Sequence, residues 1–408
     1  MNVLHLTWEF PPFKVGGIAA HVEDLTKAQV KVGLTPIVVT CSFCGKEGYE
    51  EKDGVHIFRF NADNIPAEDF PTWVLEMNLL MENQIIKIFD KFKIDLLHTH
   101  DWLSATSAIS IKHMYRVPMV ATIHSMEIGR RGAVRQDRER LIDDLERRLV
   151  YESWRTIVCS YFMKNSICSC FHTPENKIDV IPNGIYPEKY DLSFDYESVK
   201  MKFAMPFEKI VLFVGRLVWE KGVDLLIGAA PKIISKVPEA KFVFVGKGYM
   251  KNKCMDIAHG LGVRDKVYFS GYLDDKDVDA LYSIADVVVV PSRYEPFGIV
   301  ALEAMAAKTP VVVASAGGLC EVADGCAYKV AVENSDEIAD GVISILTNKE
   351  LKNDMIENGF LKVNTLYNWN VIASTTKKTY EKIIEEYKKA NWKPQKKIEK
   401  KQKGEIYE

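Results

Sequence analysis

Two glutamates set the chemical question. In Pro291-Ser292-Arg293-Tyr294-Glu295-Pro296-Phe297-Gly298-Ile299-Val300-Ala301-Leu302-Glu303-Ala304-Met305, Glu303 follows Glu295 by eight residues. Eight residues are about two helical turns, so both carboxylates can face one elongated ligand. The segment follows the apolar run Val287–Val290 and opens a helix-forming stretch, with Gly298 at the junction. A helix start offers free N–H groups and a positive dipole end, and glycine lets a ligand approach them closely. A diphosphate there, with sugar hydroxyls on one side and ribose hydroxyls on the other, would use all of these features. On spacing alone the segment also reads as a capped helix with two solvated glutamates.

A second segment, Leu212-Phe213-Val214-Gly215-Arg216-Leu217-Val218-Trp219-Glu220-Lys221-Gly222, is an apolar strand that ends in glycine. Arg216 and Lys221 emerge from the loop after it. Two fixed cations suit a departing diphosphate, because they stabilise charge that grows in the transition state. The plainer alternative is a pair of surface charges, one of them matched by Glu220. A third segment, Lys14-Val15-Gly16-Gly17-Ile18, lies between the first strand and the first helix. Adjacent glycines at such a turn allow backbone to come close to a phosphate.

These residues need elements to hold them. Strands are expected at 3–7, 36–40, 55–59, 95–98, 118–122, 156–159 and 178–181, with helices near 18–32, 74–92, 103–115, 138–152 and 161–170. After the proline-bearing stretch from Pro182 to Pro206 the alternation restarts. Strands follow at 210–214, 241–245, 266–270, 286–290 and 310–314, and helices near 223–235, 249–260, 276–284, 298–307, 335–346 and 350–360. Apolar strands with little polar alternation, separated by helices, imply parallel sheets covered on both faces. The expected fold is α/β, with two Rossmann-like doubly wound domains facing a cleft. Ligands bind beyond the carboxyl ends of such strands. The expected division is 1–186, a linker at 187–206, a second domain at 207–368, a helix at 369–390 packing back toward the first domain, and a polar tail at 391–408.

At 408 residues, two domains are the natural expectation. A hydrophobic share of 47% with 27% charged residues is globular, and a net charge of −3 gives no reason to expect nucleic acid as a partner. No apolar run reaches the roughly 18–20 residues of a membrane span, and no basic leader precedes Val3, so the cytoplasm is expected. The Lys-rich tail is interrupted by acidic residues and reads as solvated. Cys41-x-x-Cys44 and Cys168-x-Cys170 have no second pair at zinc spacing, so packing is the expected role of the cysteines. Asp275-Lys276-Asp277 and Asp277-Val278-Asp279 match the DxD pattern of metal-dependent transferases, but at a helix start aspartates serve as caps. No metal and no cofactor are expected.

From Val3 to about Tyr387 the chain resembles the retaining GT-B glycosyltransferases, the family-4 (group 1) type and its glycogen and starch synthase relatives. The motifs that carry the resemblance are Glu295-x7-Glu303 in its Pro-Ser-Arg-Tyr-Glu-Pro-Phe-Gly setting and Gly215-Arg216-Leu217 followed by Lys221-Gly222. Supporting matches are Asp179-Val180-Ile181-Pro182-Asn183-Gly184-Ile185, His98-Thr99-His100-Asp101-Trp102 and Ala314-Ser315-Ala316-Gly317-Gly318-Leu319. The resemblance implies that Arg216 and Lys221 clamp the donor diphosphate, that Glu295 holds hydroxyls of the transferred sugar, and that Glu303 holds the ribose. Amides around Phe297, Gly298 and Ile299 would complete the cradle, with Lys14 and Gly17 closing it from the N-terminal domain. His124 matches the histidine near the donor sugar's C6 hydroxyl, although a core histidine also fits. Asp101 is a further donor-side candidate that can equally cap a helix. Gly246 and Tyr272 would lie near the base.

The resemblance further implies transfer with retention, without a covalent enzyme nucleophile, from a UDP- or ADP-sugar to a carbohydrate or other hydroxyl acceptor. Lys14-x-Gly16-Gly17 and Gly317-Gly318-Leu319 point toward glucose and an α-glucan acceptor. Mannosyl or galactosyl transfer to a lipid or small molecule is the alternative. A nucleotide-sugar epimerase and a silent sugar-nucleotide binder stand further off, the second opposed by the retained Arg216, Lys221, Glu295 and Glu303.

Overall fold

The computed structural model describes residues 1–191 and 193–392. The chain forms two compact units. The first takes Met1–Ile123, Gln136–Ile157 and the chain from Thr376; the second takes His124–Arg135 and Val158–Thr375.

In the first unit lie β1 (Asn2–Leu6), β2 (Thr35–Ser42), β3 (Gly48–Lys52), β4 (Val55–Asn61), β5 (Leu96–His100), β6 (Met119–Ile123) and β7 (Arg155–Val158). Their order in the sheet is β3-β4-β2-β1-β5-β6-β7. β1 pairs in parallel with both β2 and β5, and β2 with β4, while β3 runs antiparallel to β4. Every residue of β5 and β6 is buried, as strands covered on both faces require. β4 matches the strand expected at 55–59, whereas β3 lies outside the expected strands, because all five of its residues are exposed and show no apolar rhythm.

The second unit contains the short strand β8 (Ile178–Val180) and a sheet of β9 (Lys209–Val214), β10 (Ala240–Val245), β11 (Val267–Gly271), β12 (Val287–Val290), β13 (Val311–Ala314) and β14 (Tyr328–Val330). The order is β11-β10-β9-β12-β13-β14, and all the pairings are parallel. Runs such as Val287–Val290 and Val311–Val313 are β-branched and fully buried. They pack against Val223, Leu226, Ile233, Ile338 and Val342 from the flanking helices. Counted along the chain this is the 3-2-1-4-5-6 order of a doubly wound nucleotide-binding sheet, and β4-β2-β1-β5-β6-β7 repeats it.

The compact units are not two contiguous segments. Residues 124–135 and 158–186, placed before the linker by the sequence, group with the second unit. Specific contacts hold them there. A Cβ on Gly129 would lie 2.2 Å from the Tyr294 hydroxyl, Ser160 Oγ donates to the Pro296 carbonyl at 2.7 Å, and the amides of Tyr161 and Phe162 donate to Glu321. The expected linker holds a 3-10 turn at Pro187–Tyr190 and a helix at Tyr196–Met201. The helix Trp369–Lys389 starts among second-unit residues, with Trp369 packed on Gly184, and from Thr376 groups with the first unit. The expected tail lies outside the described residues from 393 onward. No described helix is long and apolar enough to cross a membrane.

Candidate functional site

The strand order of the second sheet reverses between β9 and β12, and the loops beyond these two strands carry the expected residues. Lys221 Nζ lies 2.7 Å from Glu295 Oε2, and Ser292 Oγ donates to the same oxygen at 3.3 Å. The two loops therefore meet through an ion pair. Arg216 is exposed, and its Nη2 reaches Glu220 Oε1 at 3.2 Å, the pairing that a surface charge would make. Gly298 takes the cap position of the helix Ile299–Ala306 with φ +111°, a conformation that favours glycine. No side chain caps this helix start. Three alanines with Leu302, Glu303 and Met305 favour a helix, and burial of Ala301, Leu302, Ala304, Met305 and Ala306 holds so short a one in place. The turn after β13 packs beneath: the Gly318 amide donates to the Glu295 carbonyl at 2.9 Å, and a Cβ at Gly318 would sit 2.1 Å from the Pro296 carbonyl oxygen. That close approach is why the turn reads Gly317-Gly318.

Glu303 lies along the same helix. It accepts a hydrogen bond from the buried Tyr282 hydroxyl at 2.6 Å. Burial holds its carboxyl above the usual range; Tyr282 and the Lys189 charge oppose that shift, and Asp279 and Asp275 add to it. Lys189 is itself paired with Asp279 at 2.9 Å. Asp274 caps the helix Asp275–Ile284 through the Asp277 amide, so the DxD run is a helix start in which Asp279 holds Lys189. Beyond β10 and β11, the Gly246 amide donates to the Gly271 carbonyl at 2.8 Å, which brings Gly246 and Tyr272 into neighbouring loops. Tyr272 is exposed, with Lys247 Nζ 5.8 Å from its ring centre. His124 is partly buried in the second unit, and desolvation lowers its pKa to about 4, which leaves it neutral at pH 7.

In the first unit the sheet order reverses between β1 and β5. Glu9, beyond β1, is almost fully buried and accepts the amides of Val15 and Gly16, the latter at 2.8 Å. These amides lead into the helix Gly17–Lys31, so its start is filled by the chain's own carboxylate. Burial raises the Glu9 pKa, the amides of Gly16, Val15 and Ala19 oppose this, and nearby Asp101 adds to it. Lys14 and Gly17 flank the engaged amides. Asp101, with φ +57°, precedes the turn Trp102–Ser104 without capping it through its side chain.

The first unit also buries a polar chain. Gln29 Nε2 donates to Tyr380 Oη at 2.9 Å, leaving Gln29 Oε1 to accept from His5 Nε2 at 2.8 Å. His5 Nδ1 then accepts from His100 Nε2 at 3.2 Å. Tyr380 donates to His98 Nδ1 at 2.5 Å, and His98 Nε2 donates to Thr122 Oγ1 at 2.7 Å. His5, His98 and His100 are close enough to share an ion, but both ring nitrogens of His5 and of His98 already have protein partners. The cluster is built as a hydrogen-bond network. The eight cysteines are free thiols. Burial pushes the Cys41 thiol up to about 12, which suits packing better than redox chemistry.

The second unit thus offers two cations, an uncapped helix start and two carboxylates, Glu295 on the loop before that helix and Glu303 within it. Such a set can bind a diphosphate flanked by hydroxyl-bearing groups. Sequence reasoning missed Glu9, Tyr282, Arg293 and the link from Tyr380 to His98. The sequence signal for Arg293 was its place inside the strongest motif; Glu9 accepts amides six and seven residues on, Tyr282 lies 21 residues before Glu303, and Tyr380 stands 282 residues from His98.

The fold and this arrangement define a GT-B glycosyltransferase. The profile of glycosyl transferases group 1 matches residues 200–362, and that of Glycosyltransferase Family 4 matches residues 15–189. The chain belongs to this group 1 family of glycosyltransferases. It is 40% identical over 392 residues to an uncharacterized glycosyltransferase of Methanocaldococcus jannaschii, covering 94% of this chain and 99% of the relative. It is 32% identical over 399 residues to a glycogen synthase of Mycobacterium tuberculosis, covering 93% of this chain and 94% of the relative. The solved sucrose-phosphate synthase of Thermosynechococcus elongatus shares the fold, with a TM-score of 0.81 at 22% identity, over 94% of this chain and 99% of that one.

Proposed function

We propose that the chain transfers glucose, with retention, from UDP- or ADP-glucose to an α-glucan hydroxyl. The observation that carries the reading is the Lys221–Glu295 pair beside the uncapped start of Ile299–Ala306. The donor diphosphate lies against the amides of Phe297, Gly298 and Ile299, with Lys221 and Arg216 meeting the charge that grows on the leaving group. Glu295 takes hydroxyls of the transferred sugar, and Glu303 takes the ribose. Neutral His124 can exchange a hydrogen bond with the C6 hydroxyl without adding charge. By the resemblance, Gly246 and Tyr272 meet the base. The acceptor attacks from the leaving-group face, and a donor phosphate oxygen takes its proton. The sugar anomeric bond to phosphate breaks as the new glycosidic bond forms. Positioning and fixed charge carry the catalysis.

Because two side-chain cations and a helix start supply the positive charge, turnover is expected to survive excess EDTA. Loss restored by manganese or magnesium would reject this mechanism. The glycogen synthase relative supports glucose and a glucan acceptor. The decisive experiment is a thermal-shift screen of nucleotide sugars, followed by product analysis with the best donor and a malto-oligosaccharide. The expected product is an α-glucan one glucose longer. Transfer of mannose or galactose to another acceptor, or an epimerised nucleotide sugar, would overturn the assignment.

A further inference from the structure

Arg293 lies two residues before Glu295, and its guanidinium is nearly buried. All five of its N–H donors are matched. Nη1 and Nη2 bind the two Asp224 oxygens at 2.8 and 3.0 Å, Nη1 also reaches the Trp219 carbonyl at 2.7 Å, and Nη2 and Nε bind Glu333. The guanidinium carbon also lies 4.9 Å from the centre of the Trp219 ring. Burial acts against its charge, and Asp224 and Glu333 more than offset that, keeping it ionised. The main chain repeats the connection: the amides of Arg293 and Tyr294 donate to the Glu220 carbonyl at 2.8 and 3.3 Å. Trp219 and Glu220 directly precede Lys221, and Asp224 opens the next helix.

We propose that Arg293 is the positioning residue of the site, fastening the loop that carries Glu295 to the loop that carries Lys221. Neither Lys221 nor Glu295 bonds to Arg293. It acts on their 2.7 Å contact by fixing the backbone on either side of it. Only a planar fork with five donors fills this set of acceptors, and lysine cannot replace it. The inference rests on the reading that Lys221 and Glu295 hold the donor.

The test is Arg293→Lys, which keeps a charge beside Asp224 and Glu333, made in the wild type and in a Lys221→Ala background. Rates are measured at 25 °C, below the melting point of each variant. Misplacement on the ångström scale costs up to about a hundredfold, so Arg293→Lys alone is expected to lower kcat about thirtyfold, with KM for the donor within about threefold. In the Lys221→Ala background the same substitution is expected to cost less than about threefold, because partners acting as one unit are not additive. An undiminished kcat for Arg293→Lys, or an equal loss in both backgrounds, overturns the inference. If Lys221→Ala itself turns over at the wild-type rate, the donor reading fails instead. A slow Lys221→Ala beside a fully active Arg293→Lys leaves that reading standing and removes only this inference.

Discussion

In the first unit the helix Gly17–Lys31 starts at the carboxyl-end rim of the sheet, and Glu9 accepts the amides of Val15 and Gly16 ahead of it. In the second unit the helix Ile299–Ala306 starts at the matching rim with no side-chain cap, and Lys221 and Glu295 are paired beside it. Each helix begins beyond a strand at the point where its sheet's order reverses, after β1 in one and after β12 in the other, so each start can take an anion. The first is filled by a carboxylate of the chain, which stabilises the loop. Beside the second, Lys221 and Arg216 stand on the loop that the Lys221–Glu295 pair joins to it, which suits a ligand that comes and goes. Fold alone does not choose between these uses; one glutamate does.

Breaking the open site is expected to give the largest effect. In the proposed mechanism, Lys221→Ala removes a preorganised charge that acts on the departing diphosphate. The expected cost is about 3 kcal/mol in the transition state, or roughly a hundredfold in kcat. Arg216→Ala is expected to act in the same direction. Initial rates, with melting points close to wild type, check both. Wild-type rates in both variants would mean that the second helix start is not the diphosphate site.

Breaking the filled site should instead cost stability. Glu9→Ala leaves the amides of Val15 and Gly16, on an exposed turn, without their charged acceptor, which costs about 1 kcal/mol. Urea unfolding measures it. A loss below about 0.5 kcal/mol would show that water satisfies those amides, and the contrast between the two helix starts would collapse.

The first unit's inward character can be tested through pH as well. Burial lowers the His5 pKa from 6.5 to about 3. Between those values the unfolded chain binds the proton and the folded one does not, so stability falls as pH falls from 6.5 toward 3. The slope from this group is at most about 1.4 kcal/mol per pH unit. His5→Gln is expected to flatten the acid limb of stability against pH by up to that amount, whatever its offset at neutral pH. An unchanged slope would mean that His5 takes its proton while folded.

What the sequence disclosed follows the same division. Strands buried on both faces were legible, because Val287–Val290 or Ile210–Val214 can hardly be anything else. β3 was not, since nothing in Gly48–Lys52 is buried, although Asp53-Gly54 ahead of β4 is a hairpin turn signal. Glu295 with Glu303 and Arg216 with Lys221 were expected at a site because each pair lies within one short motif, and the structure brings Lys221 to Glu295 across 74 residues. Their supports were not, because each acts across the chain: Arg293 binds Asp224 from 69 residues away, and Tyr380 binds His98 from 282. The 124–135 segment was assigned to the first domain because sequence order cannot show that Gly129 packs against Tyr294.

The smallest expected effect sharpens the comparison inside the open site itself. Glu295 and Glu303 sit in different environments: Glu295 pairs with Lys221, while Glu303 takes the Tyr282 hydroxyl and is held above the usual carboxyl range by burial. If Glu303 holds the ribose, it acts on the free diphosphate product as strongly as on the donor, in ground and transition states alike. Glu303→Gln keeps an oxygen for Tyr282 but loses a charge-assisted hydrogen bond, so UDP or ADP affinity should fall about tenfold, near 1.4 kcal/mol. In the proposed orientation, the partners of Glu295 are on the sugar being moved. Glu295→Gln should therefore leave nucleotide affinity within about twofold and lower kcat instead. Calorimetric titration with whichever nucleotide binds the wild type, beside initial rates, separates the two. Should Glu295→Gln be the variant that loses nucleotide affinity, the donor runs along this helix in the opposite direction, with its ribose at the end where Lys221 stands.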